Sequence, residues 1–238
     1  MHHYGIIGFP LLHSFSAKYF SEKFTRERID ARYDLYPIEI ADFQFKIADL
    51  LGSLDGFNVT MPYKQTIIPY LNRLDETAEA VGAVNVVHKG VGYNTDCLGF
   101  MSSLKPLLRD YDREALVLGT GGAAKAVVYG LKQLGITPTL VSRTPKAGML
   151  GYKQLTEEIM QRFTIIVNCT PLGMLPDIDS CPPIPYEMIT ARHLLFDCVY
   201  NPEETLFLCK GKAQGATIRN GIEMLIGQAK AAWEIWNE

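Results

Sequence analysis

Residues 115 to 126, ALVLGTGGAAKA, join an apolar strand to a helix through a glycine-rich turn. Gly119, Gly121 and Ala124 fit the spacing G-x-G-x-x-A, in which small residues let the backbone approach a pyrophosphate. Backbone N–H groups at the start of the helix can then bind the anion. A turn that needs glycines only for packing is the alternative, but the strand–turn–helix context favours a dinucleotide site.

The end of the next predicted strand indicates which dinucleotide is bound. NAD sites commonly place Asp or Glu about 20 residues after the glycines, whereas NADP sites need cations for the 2′-phosphate. The strand ends in VSRTPKAG, residues 141 to 148, which carries Arg143 and Lys146 but no acidic residue. This composition favours NADP, with a solvated basic turn as the alternative.

Strands and helices alternate on both sides of this turn. We predict strands at 115–118, 139–142, 164–168 and 194–199, and helices at 122–134 and 156–162. This alternation predicts a Rossmann-type, doubly wound sheet in a domain that spans residues 109–219 and starts at the charged segment RDYDRE.

The first part of the chain alternates in the same way. Strands are predicted at 4–9, 32–36, 56–59, 83–88 and 91–94, and helices at 16–28, 42–51, 76–81 and 96–108. The chain is therefore predicted to be an α/β protein, with a mostly parallel sheet in an N-terminal domain over residues 1–108. The apolar C-terminal helix, residues 220–238, is expected to return to this domain.

Composition narrows the class of ligand. The 238 residues carry a net charge of −3, which disfavours nucleic acid and anionic membranes and favours a small-molecule ligand. The five cysteines have no metal-ligand spacing, so we expect reduced thiols, no metal and a cytoplasmic protein. Because no apolar run reaches about 18 residues, no membrane span is expected.

A lysine lies in an electrostatically unusual position in FNVTMPYKQ, residues 57 to 65. If Pro62 begins a helix, Lys64 lies in its first turn, where the helix dipole disfavours an ammonium by roughly 0.3 to 1 kcal/mol. Asp96, in YNTDCLGF, is explained as a helix cap, but a carboxylate near Lys64 would also stabilise its charge. Together the two side chains could exchange a proton with a ligand.

Two serines start the first predicted helix, in GFPLLHSFSAKYF, residues 8 to 20. One serine is explained as the helix N-cap. The hydroxyls of Ser14 and Ser16, beside free N–H groups, could equally bind a carboxylate. The residues alone do not separate these alternatives.

Taken together, the motifs resemble the shikimate dehydrogenase family over nearly the whole chain. They occur in the family's order: GFPLLHSFS, FNVTMPYK, GAVNVV, YNTDCLGF, GTGGAAKA, SRT, NCTPLGM, DCVYNPEET and NGIEMLIGQ. The resemblance implies reversible, NADPH-dependent reduction of 3-dehydroshikimate to shikimate, a step toward chorismate and the aromatic amino acids.

The resemblance also implies a role for individual residues. Lys64 and Asp96 would form the catalytic pair, and Ser14 and Ser16 would bind the substrate carboxylate. The remaining partners of the ring hydroxyls and of Lys64 would be Asn58, Thr60, Asn85, Asp96, Tyr200 and Gln228. The NADP contacts would be Glu76, Gly119, Thr120, Gly121, Gly122, Ala123, Ser142, Arg143, Thr144, Lys146, Thr170, Cys198 and Gly221.

The chain departs from the family pattern at several positions. Ala17 replaces a proline, Cys169 an alanine and Cys198 a methionine, and residues 143–168 have room for one helix instead of two. The shorter segment leaves the 2′-phosphate contact of Lys146 open, with relaxed use of NAD as the alternative. A quinate/shikimate dehydrogenase paralogue and a non-catalytic NADP-binding regulatory module are the alternative functions. The chain is expected to act as a monomer or a homodimer.

Overall fold

The computed structural model describes residues 1–11 and 14–238, so Leu12 and His13 of the GFPLLHSFS motif lie outside the described residues. The chain forms two compact units. Each contains a six-stranded sheet and several helices, which confirms the predicted α/β class. The first unit comprises Met1–Thr95 and Gln228–Glu238, and the second comprises Asp96–Gly227.

The first unit is built on a mixed six-stranded sheet with the order β2-β1-β3-β5-β6-β4. Strands β2, β1 and β3 are parallel, and β5 runs antiparallel to β3. The strands are β1 His2–Gly8, β2 Ala31–Pro37, β3 Gly56–Val59, β4 Arg73–Leu74, β5 Val86–His88 and β6 Val91–Tyr93. The helices are α1 Phe15–Glu27, α2 Phe43–Ser53 and α3 Glu76–Val81.

The second unit is built on a six-stranded parallel sheet. Its strands are β7 Glu114–Leu118, β8 Thr137–Ser142, β9 Leu150–Gly151, β10 Ile165–Asn168, β11 Leu194–Asp197 and β12 Thr217–Arg219. Its helices are α4 Asp96–Leu104, α5 Gly122–Gln133, α6 Glu157–Arg162 and α7 Leu206–Ala213. The last helix, α8 Ile222–Trp236, begins in this unit and ends in the first.

The strand order of the second sheet is β9-β8-β7-β10-β11-β12. Counted within the unit, this is third, second, first, fourth, fifth, sixth, which is the order of the Rossmann fold. The order reverses between β7 and β10. Ligands of such sheets bind beyond the carboxyl ends of the strands at this switch point, which locates the candidate cofactor site.

The end of α8 contributes to the core of the first unit, as predicted. Ala229, Ala232 and Trp236 are buried there, and Trp236 packs on Tyr4 and Phe20 with ring centroids 4.8 and 5.0 Å apart. The indole N–H of Trp236 donates to the carbonyl of Val87 at 3.2 Å, so the ring is fixed by a hydrogen bond as well as by packing.

Helix α4 differs from the prediction in length and in its unit. It ends at Leu104 and continues as a 3₁₀ turn over Lys105–Leu107, because Pro106 cannot donate the next helical hydrogen bond. Phe100 and Leu104 share a core with Leu131 of α5, so α4 belongs to the second compact unit.

The region between β8 and β10, all of it described, contains α6 as its one α-helix, as expected from the short segment. The sequence reading placed no element between β11 and α8, where the structure has α7 and β12. Gly211 lowers the helix propensity of α7, but a Cβ there would overlap Leu195 of β11, so packing favours the glycine.

Across residues 1–11 and 14–238, we find no helix with the length and apolarity needed to cross a bilayer.

Candidate functional site

Buried polar side chains meet at one end of the two central strands of the first sheet, near the end of β3 and just before β5. Asn58 and Asn85 are 4% and 3% exposed. The Tyr33 hydroxyl donates to Asn58 Oδ1 at 2.6 Å, and Asn58 Nδ2 donates to the Asn85 carbonyl at 3.3 Å. Burial raises the pKa of Tyr33 well above its ordinary value, and Ser16 hydrogen-bonds its phenol.

The network continues from Asn85 to the C-terminal helix. Asn85 Oδ1 accepts from the Thr95 N–H at 2.7 Å, and Asn85 Nδ2 lies 3.0 Å from Thr95 Oγ1 and 3.4 Å from Gln228 Oε1. The Thr95 hydroxyl is also 3.1 Å from the Gln228 carbonyl oxygen. These bonds fix the orientations of the side chains, because buried amides are costly to leave unsatisfied.

Four predicted substrate residues are therefore brought together in this network: Ser16, Asn58, Asn85 and Gln228. Sequence reasoning missed the two residues that connect them. Thr95 lies inside the quoted motif YNTDCLGF, so its position was a usable signal. Tyr33 gave no signal, because an aromatic residue in an apolar strand is indistinguishable from ordinary core.

Two further predicted substrate residues, Ser14 and Thr60, lie at the start of α1 and directly after β3. Ser14 is the N-cap of α1, and its hydroxyl accepts from the Ala17 N–H at 3.3 Å. The Thr60 N–H donates to the carbonyl of Ile7 at 2.9 Å, which continues the pairing of β3 with β1. Ser14 is therefore the N-cap, and because its oxygen accepts this bond, its O–H can still donate to a carboxylate.

The predicted helix starting at Pro62 is wrong. Residues 61–67 form successive turns, and the Tyr63 N–H bonds the Thr60 carbonyl at 2.9 Å, three residues back. Without several consecutive helical bonds no aligned macrodipole forms, so the helix-dipole argument for Lys64 does not apply. The Lys64 carbonyl accepts from the Val84 N–H at 2.7 Å, which holds its backbone beside the segment that carries Asn85.

The two predicted acidic residues each start a helix. Glu76 is the first residue of α3, whose cap is supplied by the preceding Asp75, with Oδ1 2.8 Å from the Ala78 N. Asp96 is the first residue of α4 and is 7% exposed. Glu76 belongs to the first unit and Asp96 to the second.

In the second unit, the turn between β7 and α5 has the geometry of an anion cradle. Gly119 has φ +111°, and a Cβ there would lie 3.2 Å from the Cys169 carbonyl oxygen. A side chain is therefore disfavoured both by the backbone conformation and by this contact. Gly121 precedes α5 as its N-cap, and a Cβ there would meet nothing within 4 Å. Thr120 and Gly121 are exposed, with Gly122 and Ala123 half-buried behind them. A pyrophosphate fits this open helix start.

Across the switch point, a buried network orients Thr170. Asn168 Oδ1 accepts from the Thr170 N–H at 3.0 Å and from its hydroxyl at 2.7 Å. Asn168 Nδ2 donates to Asp197 Oδ1 at 3.0 Å, and the Thr205 hydroxyl donates to Asp197 Oδ2 at 2.6 Å. Asn168 and Asp197 lie in the quoted motifs NCTPLGM and DCVYNPEET, but sequence reasoning gave them no role.

The carboxyl group of Asp197 is fully buried at the end of β11. Burial raises its pKa to about 6, and its hydrogen bonds from Thr205, Val199 and Asn168 offset only part of this effect. Asn168 ends β10, whereas Val199 and Thr205 lie in the loop after β11, so Asp197 connects the end of β10 to the loop that follows its own strand.

The end of β8 provides the predicted cations. Arg143, Thr144 and Lys146 are exposed, and Ser142 Oγ accepts from the Thr144 N–H at 3.2 Å, which shapes the turn. No acidic side chain follows this strand up to residue 148. The turn is therefore compatible with a 2′-phosphate.

The loop after β11 approaches the start of α8. A Cβ on Gly221 would overlap the Cys198 carbonyl, so only glycine fits this contact. The sulfurs of Cys198 and Cys169 are 3.7 Å apart. Tyr200 is 37% exposed.

In the described part of the chain, no group of three or more His, Cys, Asp or Glu side chains is arranged to hold a metal ion.

Comparison with known proteins identifies one family. The family model for the shikimate dehydrogenase substrate-binding domain matches residues 6–87. A shikimate dehydrogenase (NADP(+)) of Clostridium beijerinckii is 39% identical and is matched over 100% of this chain and 93% of the relative.

Two solved structures are also similar. Shikimate dehydrogenase from Aquifex aeolicus has a TM-score of 0.90 and 34% identity, covering 100% of this chain and 92% of that chain. The shikimate 5-dehydrogenase from Thermus thermophilus, solved in complex with NADP(H) and shikimate, has a TM-score of 0.88 and 28% identity, covering 99% and 93%.

Proposed function

Because this chain belongs to the shikimate dehydrogenase family, we propose that it catalyses the reversible, NADPH-dependent reduction of 3-dehydroshikimate to shikimate. The observation that carries the proposal is the full-length similarity to NADP-dependent shikimate dehydrogenases, 39% identity over 100% of the chain for the Clostridium relative. The glycine turn at the Rossmann switch point and the polar network of the first unit are the features that such a reaction needs.

The second unit is proposed to hold NADP(H). Gly119 to Ala123 would receive the pyrophosphate on backbone N–H groups, and Thr170 would add a hydroxyl held in place by Asn168. Ser142, Arg143, Thr144 and Lys146 would contact the 2′-phosphate, with Glu76, Cys198 and Gly221 as further contacts. The bound cofactor supplies a hydride, and the protein supplies binding, orientation and a proton.

The first unit is proposed to bind the substrate. Ser14 and Ser16 would donate hydrogen bonds to the substrate carboxylate near the start of α1. The partners of the ring hydroxyls would be Asn58, Thr60, Asn85 and Gln228. Tyr33 and Thr95 are proposed as positioning residues, because their hydrogen bonds fix Asn58 and Asn85. Tyr200, from the second unit, is proposed as a further hydroxyl partner.

Lys64 and Asp96 are proposed to carry out the proton transfer of the reaction. In the reduction, Lys64 would donate a proton to the ketone oxygen, and in the oxidation it would take the proton from the hydroxyl. Asp96 would stabilise the charged ammonium and orient it. Support comes from the hydrogen bond of the Val84 N–H to the Lys64 carbonyl, which holds the Lys64 backbone beside the segment that carries Asn85.

The proposal is tested by mixing the purified protein with NADPH and 3-dehydroshikimate and following the loss of reduced-cofactor absorbance. Parallel reactions with NADH and with quinate and NAD distinguish a strict NADP enzyme from the quinate/shikimate paralogue. NADPH oxidation that requires 3-dehydroshikimate is the expected result. Binding of NADPH without turnover in any pairing would favour the non-catalytic module.

Three finer points belong to this proposal. We propose that the protein is cytoplasmic, that it does not bind nucleic acid, and that it acts as a monomer or a homodimer. A net charge of −3 and the absence of a basic sequence cluster support the second point. Size-exclusion chromatography with light scattering measures the third directly.

A further inference from the structure

Two cysteines face each other beside the switch point of the second sheet, at the ends of β10 and β11. Cys169 follows β10 and Cys198 follows β11, and their sulfurs are 3.7 Å apart. Both side chains are half-buried.

The sheet holds the two backbones at a spacing suited to a disulfide. Cys198 N–H donates to the Asn168 carbonyl at 2.9 Å, and Cys169 N–H donates to the Leu118 carbonyl at 2.9 Å. Neighbouring strands lie about 4.8 Å apart, within the Cα separations of about 4.4 to 6.8 Å that disulfides span. The sulfurs need to approach by about 1.7 Å, which side-chain rotation can supply.

The pair borders the proposed cofactor contacts. The Cys169 carbonyl lies against Gly119, and the Cys198 carbonyl lies against Gly221. Each glycine is in close contact with the carbonyl of one of the two cysteines, so we expect a disulfide that moves these carbonyls to disturb both turns. Thr170, the next residue after Cys169, is also a proposed cofactor contact.

We propose that Cys169 and Cys198 form a modification site, at which hydrogen peroxide oxidises the two thiols to a disulfide that weakens binding of the dinucleotide. The effect on binding rests on the proposed function, whereas disulfide formation does not. One sulfur attacks the peroxide, the O–O bond breaks, and a sulfenic acid and water form. The second thiol then displaces water from the sulfenic acid, so two thiols and one peroxide give one disulfide and two waters.

The proximity of the two sulfurs determines that oxidation ends in a disulfide, whereas the first step, attack on the peroxide, is slow. Burial and the adjacent Cys198 sulfur raise the pKa of the Cys169 thiol well above its ordinary value. A protonated thiol attacks peroxide slowly. The second sulfur, already in contact, captures the sulfenic acid before further oxidation, and this step gives the site its selectivity.

The experiment uses the full chain carrying Cys181→Ser and Cys209→Ser. Trypsin then leaves Cys169 as the one cysteine of peptide 163–192 and Cys198 as the one cysteine of peptide 193–210. The protein is treated with hydrogen peroxide, alkylated, digested and analysed by mass spectrometry. NADPH affinity is measured by fluorescence titration before oxidation, after it, and after reduction with dithiothreitol.

We expect a cross-link between the two peptides and a loss of NADPH affinity of about tenfold, equivalent to about 1.4 kcal/mol, which dithiothreitol restores. Adding Cys169→Ala should abolish both effects. Thiols or sulfinic acids without a cross-link would overturn the proposal, as would a cross-link with unchanged NADPH affinity. Failure of the proposed function would appear instead as no NADPH binding before oxidation, and the cross-link would still decide disulfide formation.

Discussion

In the first unit the candidate site consists of side chains that are far apart in sequence, whereas in the second it is mainly the backbone of one short turn. Asn85 and Gln228 are 143 residues apart and hydrogen-bonded, while Gly119 to Ala123 are consecutive. A ring with several hydroxyls needs donors and acceptors in several directions. A pyrophosphate needs only N–H groups and space, which any sequence with the right glycines supplies.

This contrast predicts different responses to mutation. A change in the first unit should act on substrate chemistry through a particular side chain. A change in the glycine turn should act through backbone conformation and access. The predictions below test this difference, beginning with the largest expected effect.

Replacing the proposed proton donor tests the side-chain unit most directly. Lys64→Ala should lower kcat by about 100- to 10,000-fold, the usual contribution of general acid–base catalysis, with KM for shikimate changed little. Initial rates of NADP reduction by shikimate measure both constants. Lys46→Ala, which removes an exposed ammonium 2.9 Å from Asp42 in the same unit, is the matched control. Normal turnover in Lys64→Ala would show that the proton comes from elsewhere.

Asp197 tests whether a side chain also contributes to stability in the second unit, where the candidate site is mainly backbone. Its pKa is raised from 3.8 to about 6, so the folded state binds this proton more tightly than the unfolded chain does. Its contribution to stability is therefore complete below about pH 4 and is lost as pH rises through 6. The loss amounts to about 3 kcal/mol. Urea unfolding between pH 4 and 7 measures it.

The isosteric variant Asp197→Asn should remove this part of the pH dependence, because the amide does not ionise. Asp177→Asn, on an exposed loop, should leave the pH dependence of unfolding as in the wild type. If the free energy of unfolding of Asp197→Asn still changed with pH as it does in the wild type, the titration would have to be assigned to another group.

Two glycines of the same turn separate backbone strain from ligand access. Gly119→Ala should lower the free energy of unfolding by about 1 to 3 kcal/mol, because φ is +111° and the new Cβ lies 3.2 Å from a carbonyl oxygen. Gly121→Ala should unfold much like the wild type, since its Cβ meets nothing within 4 Å. Both should weaken NADPH binding, measured by titration. Strong NADPH binding by Gly121→Ala would contradict a close backbone approach to the pyrophosphate.

Arg143 should be the side chain that distinguishes NADPH from NADH. Arg143→Ala should weaken NADPH by about tenfold, since one hydrogen bond to a charged phosphate contributes about 1.5 kcal/mol. NADH, which lacks the 2′-phosphate, should bind as before and is the internal control. Equal losses for both cofactors would refute the 2′-phosphate role. Lys146→Ala in the same assay tests whether Lys146 also contacts the 2′-phosphate despite the shortened segment.

Sequence reasoning succeeded where a function resides in consecutive residues. The turn 119–123, the parallel strands around it and the single helix α6 were all predicted. It fails at Lys64: Pro62 predicts the start of a helix, but residues 61–67 form turns, with the Tyr63 N–H bonded to the carbonyl three residues back. Local propensity does not distinguish a first helical turn from an isolated turn. Only continuation of the bonding pattern does.

By itself, the sequence determined the α/β class, the glycine turn, the absence of an acid after β8 and the family. These depend on local periodicity and on short motifs, which fold the same way wherever they occur. The tertiary structure alone decided that Tyr33 and Thr95 connect Asn58, Asn85 and Gln228, and that Asp197 joins the loops beside Thr170. It also decided that Cys169 and Cys198 lie side by side. The reason is that strand order brings these residues together, and no spacing along the chain encodes which strands become neighbours.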